Sequence, residues 1–230
     1  MPELKFHLNP DWNLSLEEAL AFQSDGAEKV CLSDAFSEIQ TVAGVDIAYA
    51  KDSELLIAGG VVLHAQTLEV LEKAYYVGNS VFPYQPGLFS FREVPPLLKA
   101  LEQLSCLPDL IVCDGHGRAH PRRFGLASHL GLLLDIPTIG CGKTPLLKPE
   151  YEPGPERGAR SPVQLNGETV GVALRTQPAI RPVYVSVGHR ISLETACDWI
   201  LRLSERYRQP ETTRQANSYV NQLRQAGLKI

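Results

Sequence analysis

The stretch Leu110-Ile111-Val112-Cys113-Asp114-Gly115-His116-Gly117 decides the fold. Four apolar residues in an unbroken run are the pattern of a strand buried on both faces, and such strands run parallel to their neighbours. The acid, glycines and histidine directly after it form a loop at the strand's carboxyl end. Downstream, a helix over Phe124 to Leu134 and a second buried strand over Ile136 to Cys141 complete a strand-helix-strand unit.

Upstream, three β-rich runs, Thr41 to Ala50, Leu55 to His64 and Glu69 to Val77, are joined by Lys51-Asp52-Ser53-Glu54 and by Gln66-Thr67. That spacing predicts an antiparallel meander. Before it, Asn13 to Phe22 has apolar residues at helical spacing, with Asn13 or Ser15 as N-cap. After it, the proline-bearing stretch Ser80 to Pro86 reads as a loop. Leu88 to Leu104 reads as a helix that Pro95-Pro96 should interrupt or restart, because proline lacks the amide donor. Pro149 to Pro162 reads as a surface loop, Gln164 to Arg175 and Val183 to Val187 as two strands, and Ser192 to Tyr207 and Glu211 to Ala226 as closing helices. A meander followed by helix, strand, helix, strand resembles the ribonuclease H-like fold. The expected class is therefore α/β, a ribonuclease H-like mixed sheet with flanking helices, and residues 1–230 are expected to form a single catalytic domain. Topology alone does not give a function.

The 230 residues, 44% of them hydrophobic, suffice for one compact α/β domain. A net charge of −4 and a sequence pI of 5.9 lack the basic excess usual for a phosphate-tracking surface, so any such surface must be local. Local basic groups are Arg122-Arg123, Lys143 with Lys148, Arg157 with Arg160, and the series Arg202, Arg206, Arg208, Arg214, Arg224 and Lys229. Most read as solvated helix faces. Five cysteines, Cys31, Cys106, Cys113, Cys141 and Cys197, show no metal-finger spacing and read as small apolar core residues of a reduced compartment. Residues Met1 to His7 lack a signal-type apolar region, and no apolar run approaches the ~20 residues that span a bilayer. A soluble cytoplasmic protein without a membrane association is expected.

Three acids stand where a sheet-based nuclease needs them: Asp46 inside the first strand, Glu93 on the helix after the meander, and Asp114 at the end of the fourth strand. Magnesium prefers carboxylate oxygens and water, and ions held by shared carboxylates can serve both sides of a phosphodiester under attack. Asp46 interrupts the apolar run Gly44-Val45-Asp46-Ile47-Ala48, where an unpaired carboxylate is costly. A metal removes that cost, and so does pairing with an arginine or with backbone donors. In Asp114 to Pro121, two glycines allow close backbone approach to a ligand while an acid and two histidines, His116 and His120, share one loop. Such a loop also suits zinc.

Four segments in succession resemble the motifs of the endonuclease V family and span most of the chain: Val42 to Tyr49, Phe82 to Glu93, Asp114 to Arg123, and Gly140-Cys141-Gly142-Lys143. The resemblance implies a magnesium-dependent endonuclease, with manganese able to substitute, that extrudes deoxyinosine and cuts DNA on its 3′ side. It implies Asp46 and Asp114 as metal ligands with Glu93 completing the cluster, Lys143 near the scissile phosphate, and His120 at phosphate or in proton transfer. Tyr84, between Pro83 and Pro86, would be the wedge that fills the gap left by the extruded base. Gly87, Leu88, Gly115, His116 and Gly117 would line the base pocket.

The resemblance departs at Thr213-Arg214-Gln215-Ala216-Asn217, where the family usually carries Asp or His at the last position. A neutral amide is a poorer magnesium ligand, which bears on a second metal. Inosine-containing RNA as substrate, lesion binding without cleavage, and a zinc hydrolase built on His116, His120 and Asp114 are the competing readings. No obligate protein partner is expected.

Overall fold

The computed structural model of the protein describes residues 12–50 and 55–226; the N-terminal Met1 to His7, the Lys51-Asp52-Ser53-Glu54 linker and Lys229 lie outside them. Helix α1 (Leu16–Lys29) opens on Ser15, whose hydroxyl accepts from the Glu18 amide at 3.2 Å while the Glu18 carboxylate accepts from the Ser15 amide at 2.8 Å. This reciprocal cap satisfies two amides that a helix start otherwise leaves bare.

Strands β1 (Thr41–Tyr49), β2 (Leu55–His64) and β3 (Val70–Asn79) form the expected antiparallel meander. Helix α2 (Phe89–Leu101), β4 (Leu110–Cys113), α3 (Leu126–Leu134) and β5 (Thr138–Gly142) follow, with β4 parallel to both β1 and β5. Then come β6 (Arg160–Leu165), β7 (Glu168–Leu174), β8 (Val183–His189), α4 (Leu193–Leu203) and α5 (Glu211–Gln225). The described strands make one mixed sheet ordered β3-β2-β1-β4-β5-β8-β7-β6. This is the ribonuclease H-like arrangement, extended by an antiparallel wing.

Alternation along the central strands sorts side chains to two faces. Val42, Leu110, Val112, Ile139 and Cys141 pack with Ala196, Ile200 and Ala216 of α4 and α5. Ala43, Val45, Ile111 and Cys113 pack with Val94, Leu97, Leu101, Leu130 and Leu133 of α2 and α3. Both faces are covered, which is why β4 reads as an unbroken apolar run.

Four expectations need correction. Pro95 and Pro96 do not interrupt α2: both are buried inside a continuous helix, since proline's fixed φ is itself helical and only its donors are lost. The single strand expected over Gln164 to Arg175 is the hairpin β6–β7, turned by Asn166 (φ 54°) and Gly167 (φ 81°), a pair suited to positive φ. The loop expected over Pro149 to Pro162 ends early, because β6 begins at Arg160. Pro162 is tolerated there because β6 is an edge strand. Finally, only Cys113, Cys141 and Cys197 are buried; Cys106 is exposed and Cys31 half-buried, and all five thiols are free. Among the described residues, no helix is long and apolar enough to cross a membrane.

Candidate active site

The register of the parallel strands builds the site. Val45 of β1 pairs with Cys113 of β4, so the next residues, Asp46 within β1 and Asp114 just past the carboxyl end of β4, stand side by side. Cys113 pairs in turn with Gly140 of β5, and Lys143 directly follows that strand. The carboxyl ends of parallel strands are where open α/β sheets place their ligands. Glu93 arrives from the first turns of α2. The three acids line one cavity of about 650 Å³ together with Lys143, His116, His120, Gly115, Tyr84, Pro86 and Gly87.

Burial governs the charges. Glu93 is 8% exposed, and burial, reinforced by the Asp46 and Asp114 charges, pushes its carboxyl up to about 8. Tyr49 approaches it with its hydroxyl 3.4 Å from Oε1. Asp46 is also raised by burial, and the Asn217 side chain opposes that rise by donating Nδ2–H to Asp46 Oδ2 at 2.7 Å. Lys143 forms an ion pair with Asp114 Oδ2. Burial and the Arg122 charge push the His120 imidazole down to about 4, so it is neutral near pH 7. Its Nδ1 accepts from the Arg122 amide at 3.2 Å. His116 Nε2 lies 3.1 Å from the Thr144 carbonyl, an acceptor, which puts the ring proton on Nε2 and leaves buried Nδ1 without a partner.

Glu93 makes stability pH-dependent. Its folded value lies above the ordinary carboxylate value, so its contribution is fully present below that ordinary range and is lost as pH rises through about 8. Thermal unfolding of the metal-free protein should therefore fall in midpoint between about pH 5 and about pH 8, and Glu93→Gln should flatten the decline. An unchanged slope in the variant would remove Glu93 as its source.

The donor set fits a hard cation. Carboxylates crowded together with raised proton affinities are stabilised by a divalent ion, and magnesium needs only one or two of them because water completes its shell. Among the described residues, no three His, Cys, Asp or Glu side chains form a group that could hold a metal ion unaided, and this holds for Asp46, Asp114 and Glu93 as it does for His116, His120 and Asp114; any cation there would take water into its shell.

Three expected pocket residues stand elsewhere. Leu88 is 1% exposed and packs with Ala19, Phe82 and Phe91 in a core cluster, where its apolar side chain is drawn at the start of α2. Gly117 is buried against β8, its amide bonded to Ser186 Oγ at 2.9 Å and its carbonyl to the Gly125 amide at 2.9 Å. Pro83 is exposed and does not border the cavity. Conversely, Tyr49, Gln23, Phe89, Leu126 and Leu146 are in or beside the site without having been singled out in the sequence. Tyr49 lies in the same segment as Asp46 and two pleats from Val45, so strand parity alone could have aimed it at α2. Several basic groups are engaged within the fold: Arg160 pairs with Glu194 and Asp198, and Arg208 donates to the Lys143, Arg181 and Pro182 carbonyls.

Residues 24–218 match the family model described as Endonuclease V. An endonuclease V of Roseiflexus sp. (strain RS-1) is 52% identical over 208 residues, covering 90% of this chain and 92% of that protein. The crystal structure of endonuclease V from Streptomyces avermitilis is similar at a TM-score of 0.90 and 46% identity, covering 96% of this chain and 98% of that one. A variant of Ciona intestinalis endonuclease V, crystallised with a 23mer DNA containing an inosine followed by a ribo-adenosine, is similar at a TM-score of 0.81 and 26% identity, covering 93% and 99%.

Proposed function

The chain belongs to the endonuclease V family, a family of nucleases, and from that membership we propose that it hydrolyses a phosphodiester bond on the 3′ side of deoxyinosine in DNA, with magnesium as its cofactor. The cut falls at the second bond 3′ to the lesion, as the family resemblance implies. One observation carries the reading: the β1–β4 register sets Asp46 beside Asp114 on a cavity that also holds Glu93, Lys143 and the exposed Tyr84. Members of this family are generally metal-dependent. A bound divalent ion would supply Lewis-acid charge at the phosphorus and ease deprotonation of the attacking water.

The chain's own groups divide the remaining work. Asp46 and Asp114 would hold the cation, with Glu93 backing them directly or through water. The Lys143 ammonium, already paired with Asp114, offsets negative charge developing on the phosphate. Neutral His120 serves as a hydrogen-bonding support and not as a proton donor near pH 7. Tyr84, 69% exposed on the loop between β3 and α2, fills the gap left by the extruded nucleotide. Gly115, His116, Pro86 and Gly87 offer walls for the flipped base. The free thiols support a reducing, cytoplasmic location.

The test is a labelled duplex carrying one deoxyinosine, incubated with magnesium or with EDTA. A magnesium-dependent nick 3′ to the lesion supports the proposal; an uncut duplex in both overturns it for DNA. The inosine followed by a ribo-adenosine in the Ciona intestinalis complex favours a second reading, inosine-containing RNA as the preferred substrate. Competition between matched DNA and RNA strands decides between them. Tyr84→Ala should weaken binding of the deoxyinosine duplex by roughly 1–3 kcal/mol, the usual worth of one aromatic–base stack. Calorimetric titration of magnesium should be unaffected; a lost metal isotherm would mean that the loop also supports the acids.

A further inference from the structure

We propose that Gln23 and Arg122 are positioning residues that clamp the Gly87 carbonyl and so fix the Tyr84 loop before substrate arrives. The inference rests on the reading of Tyr84 as the group that meets the extruded site. Gln23 is a polar residue of α1 only 1% exposed, so its amide must find partners inside the protein. Its Nε2 donates to the Gly87 carbonyl and to the Phe124 carbonyl, each at 2.9 Å. Its Oε1 accepts from Arg122 Nε at 2.5 Å, and Arg122 Nη2 donates to the same Gly87 carbonyl at 2.6 Å. One carbonyl thus receives donors from Gln23 and Arg122, one of them charged, and His120 also bonds to it.

The geometry matters because the loop has little else to hold it. Val81 is 66% exposed and Tyr84 69%, and Tyr84 meets only Phe89, edge to face with ring centroids 6.1 Å apart, among the aromatic contacts of the described residues. Its position must therefore be set at the two ends. Upstream, Phe82 is buried and its carbonyl accepts from Arg92 Nη1 at 3.1 Å. Downstream, Gly87 sits at φ +78°, where a Cβ would fall 2.5 Å from Arg122 Nη2. The guanidinium occupies the space that a side chain at position 87 would need. The clamp spans 64 residues from Gln23 to Gly87 and 35 from Gly87 to Arg122, tying α1 and the segment before α3 to a loop that neither adjoins in sequence.

A residue that merely sews α1 to α3 would act through Phe124 and leave the loop alone. Gln23→Leu removes all three bonds at similar volume, and Arg122→Lys keeps the charge but loses the two-pronged contact. Hydrogen exchange of residues 80–88, followed by mass spectrometry, is measured with nicking kinetics on the deoxyinosine duplex for both variants and for Tyr84→Ala. The expected result is loop exchange faster by about tenfold and KM higher by about tenfold, with a smaller change in kcat. Either variant suffices if the other fails to fold. Unchanged loop protection overturns the proposal, as does a loosened loop with wild-type KM when Tyr84→Ala itself raises KM. If Tyr84→Ala leaves KM unchanged while the loop loosens in the clamp variants, the reading of Tyr84 has failed and the clamp stands.

Discussion

Replacing Asp46 by Asn should lower kcat for magnesium-dependent nicking by about a thousandfold or more, while leaving the protein folded and no less stable. The loss follows from the chemistry assigned to the carboxylate: withdrawing a ligand of the cation forfeits several kcal/mol of transition-state stabilisation, and about 4 kcal/mol is a factor of a thousand. The preserved stability follows from the environment. Burial already raises the Asp46 carboxyl, and the neighbouring Asp114 charge adds to it, so the ionised group costs free energy in the metal-free fold. A neutral amide of the same shape relieves that cost and still offers an oxygen to the Asn217 Nδ2–H. The measurements are single-turnover cleavage, a magnesium titration and a thermal melt on the same preparation. Activity within tenfold of wild type would remove Asp46 from the catalytic set. A collapsed melting curve would show that its role is structural and that the acid is held by the fold and not for a ligand. Asp114→Ala gives a second route to the same question, but it also strands Lys143, whose ammonium pairs with Asp114, so its stability readout is less clean.

The acids were legible in the sequence because each breaks a local rule. Asp46 stands in an apolar strand, and Asp114 follows four apolar residues that read as a buried strand. Their adjacency was not legible, since it depends on which residue of β1 faces which residue of β4, a pairing 68 positions apart fixed by packing across the whole sheet. The same limit explains Leu88 and Gly117. The family resemblance put them at the cavity, but Leu88 packs into the core with Phe82 and Phe91, and Ser186 of β8 holds the Gly117 amide. Gln23 was invisible because nothing local marks a helix glutamine as buried; only the arrival of Gly87 and Arg122 makes it so. The β6–β7 hairpin, by contrast, was announced by Asn166-Gly167, and reading Gln164 to Arg175 as one strand passed over that signal.

Gly44→Ala should destabilise the protein by about 3 kcal/mol or more, and for a reason that reaches the active site. Helix α5 crosses β1 so closely that a Cβ on Gly44 would lie 2.0 Å from the Thr212 carbonyl oxygen and 2.8 Å from the Thr213 amide nitrogen. Both are backbone atoms at the start of α5, so no rotamer change can make room and the helix itself must retreat. Asn217 lies on that helix a little more than one turn further on, and its 2.7 Å bond to Asp46 is short enough to be lost by a displacement of about 1 Å. The variant should therefore both melt earlier and bind magnesium differently, whereas a change in stability alone would uncouple α5 from the acids. Gly59→Ala on β2 is the control. Its Cβ would meet Val220 Cγ1 at 2.5 Å, again from α5 but from a side chain and not from backbone. It should cost about 1–3 kcal/mol in urea unfolding, the usual range for overpacking a core, and leave the magnesium titration intact. Equal losses for the two glycines would show that α5 yields as a whole and that its seat on Gly44 has no special part in placing Asn217 over Asp46.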